Sequence, residues 1–153
     1  MKTEKEERAE AELKDIALRL YKAGVQLAIS LKKCKLIGIK DEYTNDELEV
    51  FDAFTSRFAR VSDILTQRIF RLFDILEFEE SKTFLDALNK AEQRGIITSS
   101  LDFKEIRELR NEIAHEYALR DFTRLITDVM QHTPQLLNTI EKSIEYGDKL
   151  TSL

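Results

Sequence analysis

Apolar residues recur at three- and four-residue steps along nearly the whole chain, which is the spacing of one face of a helix. From about Lys5 to about Lys35, the residues Leu13, Ile16, Leu20, Ala23, Leu27 and Leu31 form one stripe and predict a long first helix. Gly24 sits within it. Glycine costs about 1 kcal/mol against alanine in a helix interior, so Gly24 either admits a close neighbour or bends the helix. A loop over 36–43 leads to Thr44-Asn-Asp-Glu47, a capping box in which Thr44 and Glu47 satisfy each other's free amides. A second long helix then runs to about Glu77, with Phe51, Phe54, Phe58, Val61, Leu65, Ile69 and Leu72 inward.

Ser81 is expected to open a short third helix that Gly95 closes, with Ile96 and Ile97 anchoring the next loop. In the fourth helix Asp102 and Glu105 suggest a cap. Phe103, Ile106, Leu109 and Ile113 point inward, and the helix runs to about Tyr117. The fifth starts near Asp121 and continues through Leu125, Ile126, Val129, Leu136, Leu137, Ile140 and Ile144. Pro134 interrupts the pattern, where either a helix restarts or the same helix continues with a kink. The pattern predicts an all-α, antiparallel bundle of about five helices, one domain over residues 1–153 with frayed ends.

Composition narrows this picture. One proline and four glycines in 153 residues leave too few turns for sheet architectures. No apolar run is long enough to span a bilayer, and the charged Met1–Arg8 segment has no apolar stretch after it, unlike a signal peptide. The single cysteine, Cys34, cannot form an internal disulfide and suits a reducing cytosol. A net charge of -5 argues against a globally basic nucleic-acid binder but leaves room for a local basic groove.

Two basic clusters bear on that groove. Lys32, Lys33, Lys35 and Lys40 crowd the end of the first helix, where they complement the helix dipole or form a wall for RNA. Arg57, Arg60, Arg68 and Arg71 fall within a narrow arc of the second helix at ~100° per residue. They either pair with acidic neighbours or track phosphates.

The segment from Arg107 to Tyr117 holds chemistry that packing does not require. Arg107, Asn111 and His115 follow at i, i+4 steps and so share one ridge of the fourth helix. Small Ala114 lies beside it, Arg110 sits between ridge and core, and Glu108, Glu112 and Glu116 occupy the outer side. This set suits cleavage of RNA without a metal or other cofactor. Histidine moves protons near neutral pH, arginine holds the phosphate and its developing charge, and asparagine orients either. The RNA 2′-hydroxyl supplies the nucleophile. One motif offers a single histidine, and Arg110 and His115 stand ~140° apart on an ideal wheel. A homodimer with both motifs facing across its axis would complete the site. Other chemistries lack their residues. His132 reads as an isolated surface residue, there is no His/Cys ligand spacing or glycine-rich phosphate loop, and no serine sits in a recognisable nucleophile turn.

Arg110-Asn111-Glu-Ile-Ala-His115 resembles the Arg-Asn-x3-His signature of HEPN domains, helical bundles that often act as ribonucleases. With Tyr117 it becomes Arg-x4-His-x-Tyr, similar to HepT-like toxins, and the helix order resembles theirs across nearly the whole chain. The resemblance implies an RNA endonuclease toxin, with Arg110 and His115 as the catalytic pair and Asn111 in support. It also implies a nucleotidyltransferase antitoxin of the MntA type that adds AMP to Tyr117, although a tyrosine at a helix end also packs for its ring alone. Two other readings stay open. One is a catalytically silent binding subunit of a nucleotidyltransferase. The other is a bundle whose ridge is only an assembly contact.

Overall fold

The structure is a computed structural model that describes residues 1–115 and 119–151, with side chains for all of these except 119 and 120. Tyr117 and Glu116 therefore lie outside the described residues. Within them the chain is all-α and forms a bundle of five helices with no strand. These are α1 (Glu4–Ile37), α2 (45–76), α3 (Phe84–Gln93), α4 (Ser100–Ile113) and α5 (Leu119–Thr151). Contacts across α1 and α2 set their direction: Arg57 reaches Ser30, whereas Arg68, further along α2, reaches Glu12, nearer the start of α1. The two helices are antiparallel, as the short loop between them predicts.

Local chemistry fixes most helix starts. Thr3, Thr44 and Thr83 each close a reciprocal capping box with the residue three positions on. The third helix therefore opens at Thr83 and not at Ser81, whose hydroxyl instead donates to Asp74 Oδ2 at 2.7 Å. The cap of α4 is Ser99, which accepts from the Asp102 amide, so Asp102 lies inside the helix it was expected to start. Gly95, at φ +77°, ends the α3 segment where a side chain would be strained, and the Ile96 amide turns back to the Ala91 carbonyl.

Pro134 neither restarts nor ends a helix: α5 runs through it. Proline removes one backbone donor, but the apolar face of α5 is buried on both sides of it. Leu125, Ile126 and Val129 lie before it, and Leu136 and Ile140 after. That burial, at roughly 1.5–3 kcal/mol per large side chain, outweighs a proline cost of about 3 kcal/mol.

In α2 an α-helical stretch, Asn45–Asp63, passes into a π-helical one, Ile64–Ile69, and back to α over Phe70–Leu76. Such a segment acts like an inserted residue and turns the later half of the helix relative to the first. Its inward face therefore takes in Phe70, Phe73 and Asp74 as well as the Leu65, Ile69 and Leu72 that simple periodicity selects. Six phenylalanines, Phe51, Phe54, Phe58, Phe70, Phe73 and Phe103, fill the centre of the core. Gly24 serves close approach: a Cβ there would stand 2.8 Å from Ile140 Cδ1 on α5.

Behind this core sits a buried ionic latch. Arg94, just past α3, donates from Nη2 to Asp74 Oδ1 at 2.7 Å and from Nε to Glu77 Oε1 at 2.8 Å. Tyr146 of α5 donates to the same Glu77 oxygen at 2.7 Å, and burial with that contact pushes its hydroxyl up to about 12. The latch joins the end of α2, the turn after α3, and α5.

Candidate functional site

An open cleft of roughly 400 Å³ lies between α2 and α4. Ser56, Ala59, Arg60, Asp63 and Ile64 line one wall, and Arg110, Ile113 and Ala114 the other. The small residues Ala59 and Ala114 keep it open. At its centre Arg110 and Asp63 form a two-point ion pair, Nε to Oδ1 at 2.7 Å and Nη2 to Oδ2 at 2.9 Å. Both side chains are about one-third exposed, at 28% and 31%. The charged hydrogen bonds to Asp63 raise the Arg110 pKa above its ordinary value, although desolvation opposes this. Pairing along the Nε–Nη2 edge leaves Nη1 with no hydrogen-bond partner among the described residues. Asp63 thus fixes the guanidinium plane while one of its corners stays available to a ligand.

Asp63 is the last residue before the π segment. The Thr66 hydroxyl donates to the Ser62 carbonyl at 2.9 Å, one of the backbone groups the wider turn loosens. The cleft wall is therefore built on an irregular stretch of α2.

The expected ridge takes a different form. Helix α4 stops at Ile113, and the amides of Ala114 and His115 turn to carbonyls three residues back, at Asn111 and Glu112. His115 is thus an exposed residue just past the helix end and not a fourth-turn residue stacked over Asn111. It follows Ala114, which lines the cleft, but is not itself in the lining. Asn111 is exposed on the last turn. Arg107 faces the other way, its guanidinium 4.1 Å from the centre of the Phe84 ring on α3.

The four arginines of α2 do not form one edge. Arg57 is held against α1, with Nη1 2.6 Å from Ser30 Oγ and 3.3 Å from the Gln26 carbonyl. Arg68 pairs with Glu12 of α1 at 2.8 Å. Arg71 lines a different hollow with Thr83 and Phe84. Only Arg60 shares the cleft with Arg110. Arg57 and Arg60 precede the π segment, Arg68 lies within it and Arg71 follows it, so a wheel with uniform steps does not relate the first two to the last two.

The opposite side of α4 is acidic. Asp102, Glu105, Glu108, Glu112 and Asp128 line a groove with Arg124 and His132. His132 is not isolated: its Nε2 lies 2.9 Å from Glu105 and its Nδ1 2.9 Å from the Asp128 carbonyl. Burial disfavours the charged ring, but the two acceptors outweigh it and raise its pKa above 6.5. Among the described residues no group of three or more His, Cys, Asp or Glu side chains is placed to hold a metal ion. Cys34 is buried, which pushes its thiol up to about 11 and makes it a poor nucleophile. No helix of the described residues is long and apolar enough to cross a membrane.

Sequence reasoning missed Asp63, 47 positions away from Arg110, because no local pattern links a carboxylate on one helix to an arginine on another. Compared with family models, curated proteins and solved structures, the chain finds no match.

Proposed function

We propose that the α2–α4 cleft is the active site of an RNA endonuclease. The observation that supports this most is the clamped Arg110, which shares the cleft with the cationic Arg60 and is held by Asp63 through Nε and Nη2. The cleft's own walls hold two guanidinium groups and one carboxylate, a net positive charge on a chain that is negative overall. A phosphodiester would sit on Arg110 Nη1, with Arg60 on a neighbouring phosphate. Asn111, exposed on the same last turn, would steady a phosphate oxygen or the imidazole.

In this reading His115 takes the proton of the 2′-hydroxyl, and the 2′-oxygen attacks phosphorus. The bond from phosphorus to the 5′-oxygen breaks, and that oxygen takes a proton from imidazolium or water. The products are a 2′,3′-cyclic phosphate and a free 5′-hydroxyl. Arg110 stabilises the charge that gathers on the phosphoryl oxygens. Tyr117 would be the point of control, with a nucleotidyltransferase partner adding AMP so that bulk and negative charge exclude RNA. Expression of the wild-type chain alone should then arrest growth, while Arg110→Ala or His115→Ala should restore it at equal protein levels. Arrest that persists in both variants would count against the cleft.

One observation favours a second reading, a catalytically silent subunit that binds such a nucleotidyltransferase. The acidic groove on the far side of α4 repels a polyanion and suits a basic protein surface. A stable complex with that partner, together with no RNA cleavage, would select this reading.

A further inference from the structure

Helices α2 and α4 run side by side in opposite directions. Asp63 meets Arg110, and seven residues on along α2 Phe70 meets Phe103, seven residues back along α4. The seam that holds the cleft therefore continues past Asp63 and Arg110 towards Arg107. There the chemistry changes. Arg107, one turn back from Arg110 and ~4.5 Å along the axis, lies over the Phe84 ring, 4.1 Å from its centre. Phe84 in turn borders an open hollow of about 420 Å³ that Thr66 and Arg71 of α2 also line.

Charge separates this hollow from the cleft. Asp74 is offset by Arg94 and Glu79 by Lys90, which leaves Arg71 against Glu80 in the lining. The cleft is cationic, whereas the hollow is neutral on balance and faced by an aromatic ring. Arg107 is half-buried, and none of its N–H donors meets an acceptor among the described residues. Covering the ring needs only an aliphatic chain. A guanidinium plane laid on a phenyl ring also offers the kind of surface on which nucleobases stack.

We propose that the Phe84–Arg107 stack is a base-binding subsite, which takes an unpaired nucleobase next to the phosphate held on Arg110. This subsite rests on the RNA reading of the cleft and adds the kind of RNA, a single strand. Stacked nucleotides advance ~3.4 Å along a strand and splayed ones further, so a phosphate on Arg110 leaves the neighbouring base within reach of Arg107. The neutral hollow gives that base room without competing for the phosphate. A duplex cannot use the subsite, because its bases already stack on each other and its grooves show only their edges. Every base has a face to stack, so the subsite selects unpaired strands and no particular sequence.

Fluorescence anisotropy of the full chain with 2′-O-methyl RNA octamers, which lack the attacking hydroxyl and cannot be cut, tests it. One octamer is single-stranded, one is paired with its complement, and one carries abasic sugars throughout. The wild type should bind the single strand about 10-fold tighter than the duplex. Arg107→Lys keeps the charge but loses the plane, and Phe84→Leu keeps the bulk but loses the ring. Each should weaken single-strand binding by roughly 5- to 100-fold with unchanged helicity, and neither should alter binding of the abasic strand. If Phe84→Leu loses helicity, Arg107→Lys carries the test. Arg110→Ala should weaken binding of the single and abasic strands alike, since it removes a phosphate contact. If Arg110→Ala does so but the duplex binds as well as the single strand, the subsite is overturned and the RNA reading stands. The same holds if Arg107→Lys binds like the wild type, or if the abasic strand feels both substitutions as strongly as the single strand. A wild type that binds none of the three overturns both.

Discussion

Function in the proposed account depends on how one guanidinium is held. Asp63 fixes the plane of Arg110 through two short bonds, and side-on pairing leaves Nη1 for a ligand. Asp63→Asn keeps the shape but loses a charged acceptor and one of the two matched bonds. The arginine would then sample other rotamers. Cleavage should fall about 10-fold, mostly in kcat, as for loss of a supporting contact to a catalytic group. Steady-state kinetics on a short RNA checks this, and a rate equal to wild type would remove Asp63 from the mechanism.

His132 provides a second, independent test. Its pKa in the folded chain lies above 6.5 because Glu105 and the Asp128 carbonyl favour the charged ring. A raised pKa means that the folded state binds the proton more tightly than the unfolded chain. The stabilisation is therefore fully present below about pH 6.5 and is lost as pH rises through the folded value. His132→Gln should lower the Tm at pH 5 to 6 and leave it nearly unchanged at pH 9. Thermal unfolding across that range reads the difference.

At the scale of elements, the helices themselves were legible in the sequence. Period, capping boxes and Gly95 are local signals, and the Thr44–Glu47 box forms as written. What escaped was non-local. Pro134 left restart and continuation both open because its cost is local, whereas the burial that selects continuation comes from other helices. The π segment escapes because a wheel assumes uniform steps. The four arginines expected on one edge divide between α1, the α2–α4 cleft and the hollow beside Phe84, because each follows the partner that another helix offers it and not a shared edge. Of the motif, Arg110 could be placed in a site, but its partner Asp63 could not be found from spacing. His115 was expected on a ridge and lies two residues past the last helical residue, Ile113.

The Arg94 latch belongs to this scale as well, since it holds α5 against the end of α2. Its side chain is only 7% exposed, and Asp74 only 11%. Arg94→Ala leaves Asp74 buried without its counter-charge, at a cost of about 3 kcal/mol or more. For a chain of this size the Tm should drop by roughly 6–12 °C. A shift under about 2 °C would mean that Asp74 relaxes into solvent or is satisfied by Ser81 alone.

On the scale of the whole molecule, charge is divided by surface. The cleft between α2 and α4 is positive and the groove across α4 is acidic. A negatively charged chain can still attract RNA at one place if the other surfaces repel it, which favours a single productive approach. Because only about two phosphates are engaged, binding should weaken only mildly with salt, with a log–log slope of about -1.5.

The central claim is that this cleft cleaves RNA by attack of the neighbouring 2′-hydroxyl. Its most direct test compares two end-labelled oligonucleotides, one all-ribose and one with 2′-deoxyribose at the cleaved position, incubated with the purified chain. The account predicts that only the ribose strand is cut. The cut should leave a 2′,3′-cyclic phosphate, and His115→Ala should slow it at least ~100-fold. Equal cutting of both strands, or unchanged cutting by His115→Ala, would contradict it.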